Sequence, residues 1–374
     1  TNGDGDFTTT RNTVATRVNE NGLIEEVAAN VPRLDYSDGT CPSLLLEPTR
    51  TNSLLQSNQF DTTWSASNAT TTSGQIGVGG SLDAWKLESS GSSASFIFQG
   101  ISTSVVTTRS IYAKAGSVNW FSINSGGSQA AYFDLSNGVV GTKSSNIIDA
   151  TMESVGDGWY RCSVEIDSQS NFYIFIANAD NSQSSNNGDS IYIQYAQLEE
   201  NSYATSYIKT VGTAQTRSAD TANGAGDAST FNDSSGVLMA EISALANDGT
   251  NKTIGILGDS NNLIELAYRN TSNQVRFLIK SSGVVEVNIQ HTLSDIMLNN
   301  KLAIKYKSNN ASLYVNGFEV DTDLSANMPN GLNELNFNRF DGAEDFYGST
   351  KQIQYFDSAL NDSELEKLTS WTSF

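Results

Sequence analysis

The residues best suited to recognition chemistry are aromatics set among amides and hydroxyls. In Asn119-Trp120-Phe121-Ser122-Ile123, strand alternation puts Phe121 and Ile123 on one face and Trp120, Ser122 and Asn124 on the other. With Phe121 and Ile123 in a core, Trp120 is expected to face outward. Tyr132 and Tyr173 have similar surroundings, flanked by apolar residues of opposite parity. Sugars present apolar C–H faces and polar hydroxyls, so their sites pair aromatic platforms with Asn, Gln, Asp or Arg. Trp120, Tyr132, Tyr173 and Asn124 form the candidate carbohydrate-binding set. The alternative is that these aromatics fill a sandwich core or a subunit contact. A second chemistry is calcium ligation. Asp180 and Asp189, close to Asn181 and Asn187, and the pair Asp321 and Asp323 supply loop oxygens of the type a hard cation takes. No EF-hand spacing is present, and solvated acidic turns are the competing reading.

Catalytic constellations are thin. The single histidine, His291, closes an apolar strand pattern and leaves no multi-histidine zinc site. No GxSxG elbow accompanies it. A glycosidase needs two carboxylates facing each other across a cleft. With 41 acidic residues a chance pair is expected, so such a pair carries little weight. Glu319-Val320-Asp321-Thr322-Asp323 is the nearest approach to an E-x-D-x-x-E strand and ends in the wrong residue. Gly77-Val78-Gly79-Gly80 and Gly224-Ala225-Gly226 precede no helix with a phosphate-binding lysine and read as turns. Cys41 and Cys162 have no metal-knuckle or CxxC spacing, and a disulfide between them is left open. The chain is expected not to be an enzyme.

The elements that must hold these residues are strands. Charged residues make up 17% of the 374, below the roughly 25% usual for soluble chains. Ser, Thr, Asn and Gly fill the gap, as in many-stranded β proteins. Net charge is −20, and no Lys/Arg cluster is present to displace phosphate counterions, so no nucleic-acid partner is expected. No apolar run reaches the roughly 18 residues of a membrane helix, so no membrane insertion is expected. No signal peptide is visible, and Thr1 in place of Met suggests a chain cut or processed from a longer one.

Residues 1–50 carry Pro32, Pro42 and Pro48, which forbid a continuous helix or a central strand, and are expected as an extended N-terminal arm. Residues 51–210 alternate short strand patterns with Gly/Asn/Asp turns, the pattern of a sandwich or barrel. Residues 211–235 are small and polar and read as a linker. Residues 236–374 resume the strand rhythm, with a hairpin turn at Asn316-Gly317. One short C-terminal helix is expected, capped by Asn361 or Asp362, with Leu365 and Leu368 on its apolar side and Trp371 sealing it. The fold class is all-β: two tandem antiparallel β-sandwiches.

Two stretches carry a family resemblance. Leu302-Ala303-Ile304-Lys305-Tyr306, Leu313-Tyr314-Val315-Asn316-Gly317 and the ending Ile353-Gln354-Tyr355-Phe356 to Ser363-Glu364-Leu365 resemble a concanavalin A-like, laminin-G type jelly roll. Leu44-Leu45-Leu46-Glu47-Pro48, Tyr112-Ala113-Lys114-Ala115-Gly116, Gly156-Asp157-Gly158-Trp159-Tyr160-Arg161 and Ala196-Gln197-Leu198-Glu199 resemble carbohydrate-binding-module-like jelly rolls of bacteriophage tail-fibre and virion proteins. The resemblance implies an extracellular, virion-surface component. Its expected partners are a host surface polysaccharide or glycan and other virion subunits, in a homo-oligomer, a trimer as in many phage fibres. A purely structural role, or a polysaccharide-degrading enzyme or its accessory module, are the alternatives.

Overall fold

A computed structural model describes residues 7–126, 129–167 and 171–371. Strands dominate, and one α-helix, Asp362–Thr369, occurs among the described residues. No helix among them is long and apolar enough to cross a membrane. The chain divides into two compact units that interleave in sequence. A central unit takes Thr13–Ala28 and Thr49–Ser218, and a C-terminal unit takes Thr1–Asn12, Ala29–Pro48 and Ala219–Phe374.

The central unit is a sandwich of two six-stranded antiparallel sheets. The first runs in the order Val139–Lys143, Gln129–Asp134, Trp120–Gly126, Phe172–Ala177, Ser95–Gln99, Ser65–Ser67. The second runs Ile147–Ser154, Trp159–Ile166, Thr107–Ala115, Ser190–Glu199, Ala84–Ser89, Ala69–Gln75. Alternation along these strands sends Ile97, Phe121, Ile123, Phe133, Val164, Ile174, Ile191 and Ile193 into one core. Cys162 lies in that core, and burial pushes its thiol up; it and the exposed Cys41 are both free.

The C-terminal unit packs a seven-stranded sheet on a five-stranded one. The larger runs Phe318–Asp323, Ala311–Val315, Asn300–Lys307, Ser235–Ala244, Gly348–Phe356, Ser43–Leu46, Leu34–Asp35. The smaller runs Val284–Thr292, Gln274–Ser281, Asn262–Tyr268, Lys252–Asp259, Glu334–Asn336. The turn at Asn316-Gly317 has positive φ at both residues (49° and 96°), the demand that selects Asn-Gly in tight hairpins. Asn361 caps the helix in a capping box with Glu364, and Leu365 seats it on Val237, Met239, Ala303 and Tyr314. Trp371, expected as a seal, is 51% exposed; its Nε1 donates to Asn316 Oδ1 and Lys301 lies over its ring.

Residues 1–50 are spread over both units. Ala15–Val18 and Ile24–Val27 form a hairpin in the central unit, while Ser43–Leu46 pairs with Gly348–Thr350 in the C-terminal unit. Within 211–235, Gln215–Arg217 pairs with Arg50–Asn52 and Thr221–Asn223 with Thr8–Thr10. Three-residue strands are held by backbone hydrogen bonds and need no hydrophobic alternation, so their sequences look like linker. What fixes the early segments to the C-terminal unit is a buried ion network. Asp220 receives Arg11 at 2.8 Å and also pairs with Arg33, which reaches Glu47 at 2.6 Å. Burial opposes the charge on Arg33, but Glu47 and Asp220 outweigh it and hold the guanidinium above its ordinary value.

Candidate functional site

The first sheet of the central unit carries aromatics on the side away from the core. Ser95–Gln99 sends Ile97 inward and Phe96 and Phe98 outward; Phe172–Ala177 sends Phe172, Ile174 and Ile176 inward and Tyr173 and Phe175 outward. The strands pair Phe96 with Phe175 and Phe98 with Tyr173. Phe98 and Tyr173 stack at 4.8 Å between centroids, and Phe96 lies 4.5 Å from Phe175. Phe96, Phe98 and Tyr173 are half-buried, and Phe175 is buried. Adjacent strands lie about 4.8 Å apart and same-face residues about 6.8 Å apart along a strand, so the four rings make a platform on the scale of one or two sugar rings.

Polar groups flank it. Ser67 and Ser65 stand opposite Phe96 and Phe98 on the edge strand. Ser122 and Asn124 stand opposite Phe175 and Tyr173 on the other side. Asn171 Nδ2 donates to the Tyr173 hydroxyl at 3.4 Å. Asn124 is buried, and its Oδ1 accepts from the Gly126 N–H at 2.6 Å, which fixes the amide beside Tyr173.

All four residues of the expected carbohydrate set lie on this face: Trp120, Tyr132, Tyr173 and Asn124. Only Tyr173 belongs to the half-exposed strip. Trp120 is half-buried and packs with Ala130, Tyr132 and Ala177. A Cβ at Gly141 would come within 2.6 Å of the Trp120 ring and 2.5 Å of the Asp180 carboxylate, so glycine there lets both press onto the strand backbone. Tyr132 is buried; burial first, then Asp180, raises its phenol, against a hydrogen bond with Gln183. Phe96, Phe98 and Phe175 are absent from that set. Their signal was the alternation of Ser95-Phe96-Ile97-Phe98-Gln99, in which an inward Ile97 obliges both phenylalanines outward.

The candidate calcium ligands are not brought together: Asp180 and Asp189 lie in loops of the central unit, and Asp321 and Asp323 on the Phe318–Asp323 strand of the C-terminal unit. Asp180 accepts from the Thr142 N–H and hydroxyl, each at 2.8 Å, pinning its loop to the edge strand. Asp189 accepts from Asn186 N–H at 2.6 Å. Asp321 takes the Thr322 N–H, and Asp323 takes the Ser325 N–H and hydroxyl. Among the described residues no group of three or more His, Cys, Asp or Glu side chains is placed to hold a metal ion.

Carboxylates with perturbed acidity lie elsewhere. Burial raises Glu265, on the outer face of the five-stranded sheet, but Arg276 holds it at 2.9 Å. Neighbouring Glu344 is taken by Arg339 at 2.6 Å and by Asn251 at 3.0 Å. Burial and the facing Asp149 raise Glu165. His291 sits half-buried at the end of its strand, opposite Val275. What this chemistry supports best is stacking and hydrogen bonding.

No family model and no curated protein matches the chain. Three solved structures show what it is similar to. One is domain 4 of AbnA, a GH43 extracellular arabinanase from Geobacillus stearothermophilus, solved in complex with arabinotriose (13% identity, 46% of this chain and 84% of that one, TM-score 0.35). Another is the heptameric SAP-like pentraxin of Limulus polyphemus (11% identity, 36% and 70%, TM-score 0.29). The third is the binding domain of botulinum neurotoxin DC in complex with rat synaptotagmin II (14% identity, 40% and 40%, TM-score 0.33). Likeness at these scores decides neither ligand nor reaction, and the β-sandwich assignment rests on the sheets themselves.

Proposed function

We propose that the chain is a non-catalytic adhesion module of a virion surface that holds host glycans against the aromatic strip of its central unit. The observation that carries the reading is the strip itself: Phe96, Phe98, Tyr173 and Phe175 in ring-to-ring contact, with three of them half-exposed and hydroxyl or amide side chains on both flanks. Aromatic faces take the C–H faces of sugars, and the accessible flanking side chains of Ser65, Ser67 and Asn171 take hydroxyls. The virion setting rests on the sequence resemblance to phage carbohydrate-binding-module-like domains. A single strip binds weakly, and an oligomer raises avidity by presenting several.

The test is a glycan array of bacterial envelope polysaccharides probed with the intact protein and with the Phe98→Ala and Tyr173→Ala variants. Binding should fall about tenfold or more in each variant, as for anchors of an interface. Binding that both variants retain in full would refute the strip as the site. A second reading is favoured by the same apolar surface: contact with a neighbouring virion subunit. In that case the wild-type chain is oligomeric and Phe98→Ala shifts it to monomer, with no glycan signal in either form.

A further inference from the structure

The five-stranded sheet of the C-terminal unit ends on Val284–Thr292, nine residues long and paired on one side only, with Gln274–Ser281. Just past its end, the Leu293 N–H donates to the Asn273 carbonyl at 2.7 Å, in register with the pairs His291–Val275 and Ile289–Phe277. Successive residues of a strand in an antiparallel ladder turn their N–H and C=O to opposite sides. Val287, Ile289 and His291 therefore bond inward to the sheet, while Asn288, Gln290 and Thr292 turn their backbone groups to the open side. All three are exposed, and among the described residues none of those outward groups has a hydrogen-bond partner.

Open edges are templates for another strand, and folds guard them with charge, bulges or shortness. The other edges of the large sheets are guarded. Phe318–Asp323 carries Glu319, Asp321 and Asp323, and Ile147–Ser154 carries Asp149 and Glu153. Ala69–Gln75 and Val139–Lys143 each pair with a register shift. Ser65–Ser67, Glu334–Asn336 and Leu34–Asp35 are three residues long or fewer. Val284–Thr292 has its register shift only at the start, beside Val285, and after Glu286 it holds no Asp, Glu, Lys or Arg. In a chain of net charge −20, acidic edges repel a second copy. This stretch does not.

We infer that the Val284–Thr292 edge joins the same edge of a second copy of this chain, antiparallel about a two-fold axis at Gln290, so that two five-stranded sheets become one. In that register Gln290 stands opposite its own copy and Asn288 opposite Thr292, while Glu286 falls against Ser294, past the open stretch. Amides and a hydroxyl meet on the outer face, and no like charges are opposed. The inference does not rest on the aromatic strip, which lies in the central unit. The full chain is tested by sedimentation and hydrogen exchange between about 1 and 100 µM. It should be a dimer at the top of that range and dissociate on dilution, with the amides of Asn288, Gln290 and Thr292 protected only in the dimer. Gln290→Lys and Gln290→Glu each set two like charges face to face at the axis. Each should weaken self-association about tenfold or more and keep the wild-type circular-dichroism spectrum, since the side chain is exposed. Mixing the two variants sets opposite charges face to face and should restore the dimer. Phe98→Ala should leave it intact. A wild-type chain that is monomeric or trimeric at about 100 µM overturns the inference, whatever other strand its edge accepts. So does a dimer that both variants retain, or two variants that stay monomeric when mixed.

Discussion

Among the sheets of this molecule that carry apolar side chains on the face turned away from their core, two treat them differently. On the seven-stranded sheet, Val237, Met239, Ala303 and Tyr314 lie under Leu365 of the only described α-helix. On the first sheet of the central unit, Phe96, Phe98, Tyr173 and Phe175 have no helix over them among the described residues and shelter one another by stacking. A sandwich needs one apolar face per sheet. The second apolar face is covered by the helix on the seven-stranded sheet, and on the first sheet of the central unit three of its four rings stay half-exposed.

The comparison has measurable edges. The largest effect is expected in the C-terminal unit at Asp220→Ala, which strips the shared carboxylate from Arg11 and Arg33, both almost fully buried. Removing one partner of a buried ion pair costs about 3–5 kcal/mol. Hydrogen exchange should show the loss in the C-terminal unit, with the sandwich core of the central unit keeping its protection. Next, Leu365→Ala should cost about 2–5 kcal/mol by opening a cavity under the helix, whereas Phe98→Ala should cost about 1 kcal/mol, the scale of one aromatic pair. Equal costs in denaturant titrations would erase the distinction between a covered face and an available one.

A further effect is acid-dependent. Burial raises Asp248, but hydrogen bonds and charge from Lys252, with Thr250, outweigh it and hold the carboxyl below its ordinary 3.8. A depressed acid contributes stability that is present above the unfolded value and lost as pH falls through the folded one. The C-terminal unit should therefore weaken below about pH 4, as the buried Lys252 loses its counter-ion. Asp248→Asn should cost about 1.5–3 kcal/mol at neutral pH and flatten that acid limb in circular-dichroism melts.

The sheets were legible because their cores alternate. Phe121 with Ile123, and Leu302 with Ile304, announce strands by period two, and the Asn316-Gly317 turn and the Asn361/Glu364 cap are set by local backbone demands. The same alternation put Trp120 and Asn124 on one face of their strand and gave Tyr132 and Tyr173 apolar neighbours of opposite parity, and the strand pairing brings the four to one face. Alternation could not tell which of them remain accessible, because that depends on Gly141 and the Asp180 loop, remote in sequence from Trp120. Nor could it show the interleaving of the units. Arg11, Arg33, Glu47 and Asp220 look like ordinary surface charges until the fold buries them together.

The Arg33–Asp220 pair also sets a schedule. Its members are 187 positions apart, and nearly everything between Pro48 and Ala219 belongs to the other unit. At about 5–20 residues per second of synthesis, Asp220 emerges roughly 10–40 s after Arg33. Until then Arg11, Arg33 and Glu47 must wait in water on an unstructured leader, while the central sandwich has most of its strands and time to form. Completing that sandwich shortens the loop that would otherwise have to be closed to bring Glu47 to Asp220. A nascent chain stalled before residue 220 therefore carries nearly all of the central unit behind the two disconnected early segments, Thr1–Asn12 and Ala29–Pro48, of the other.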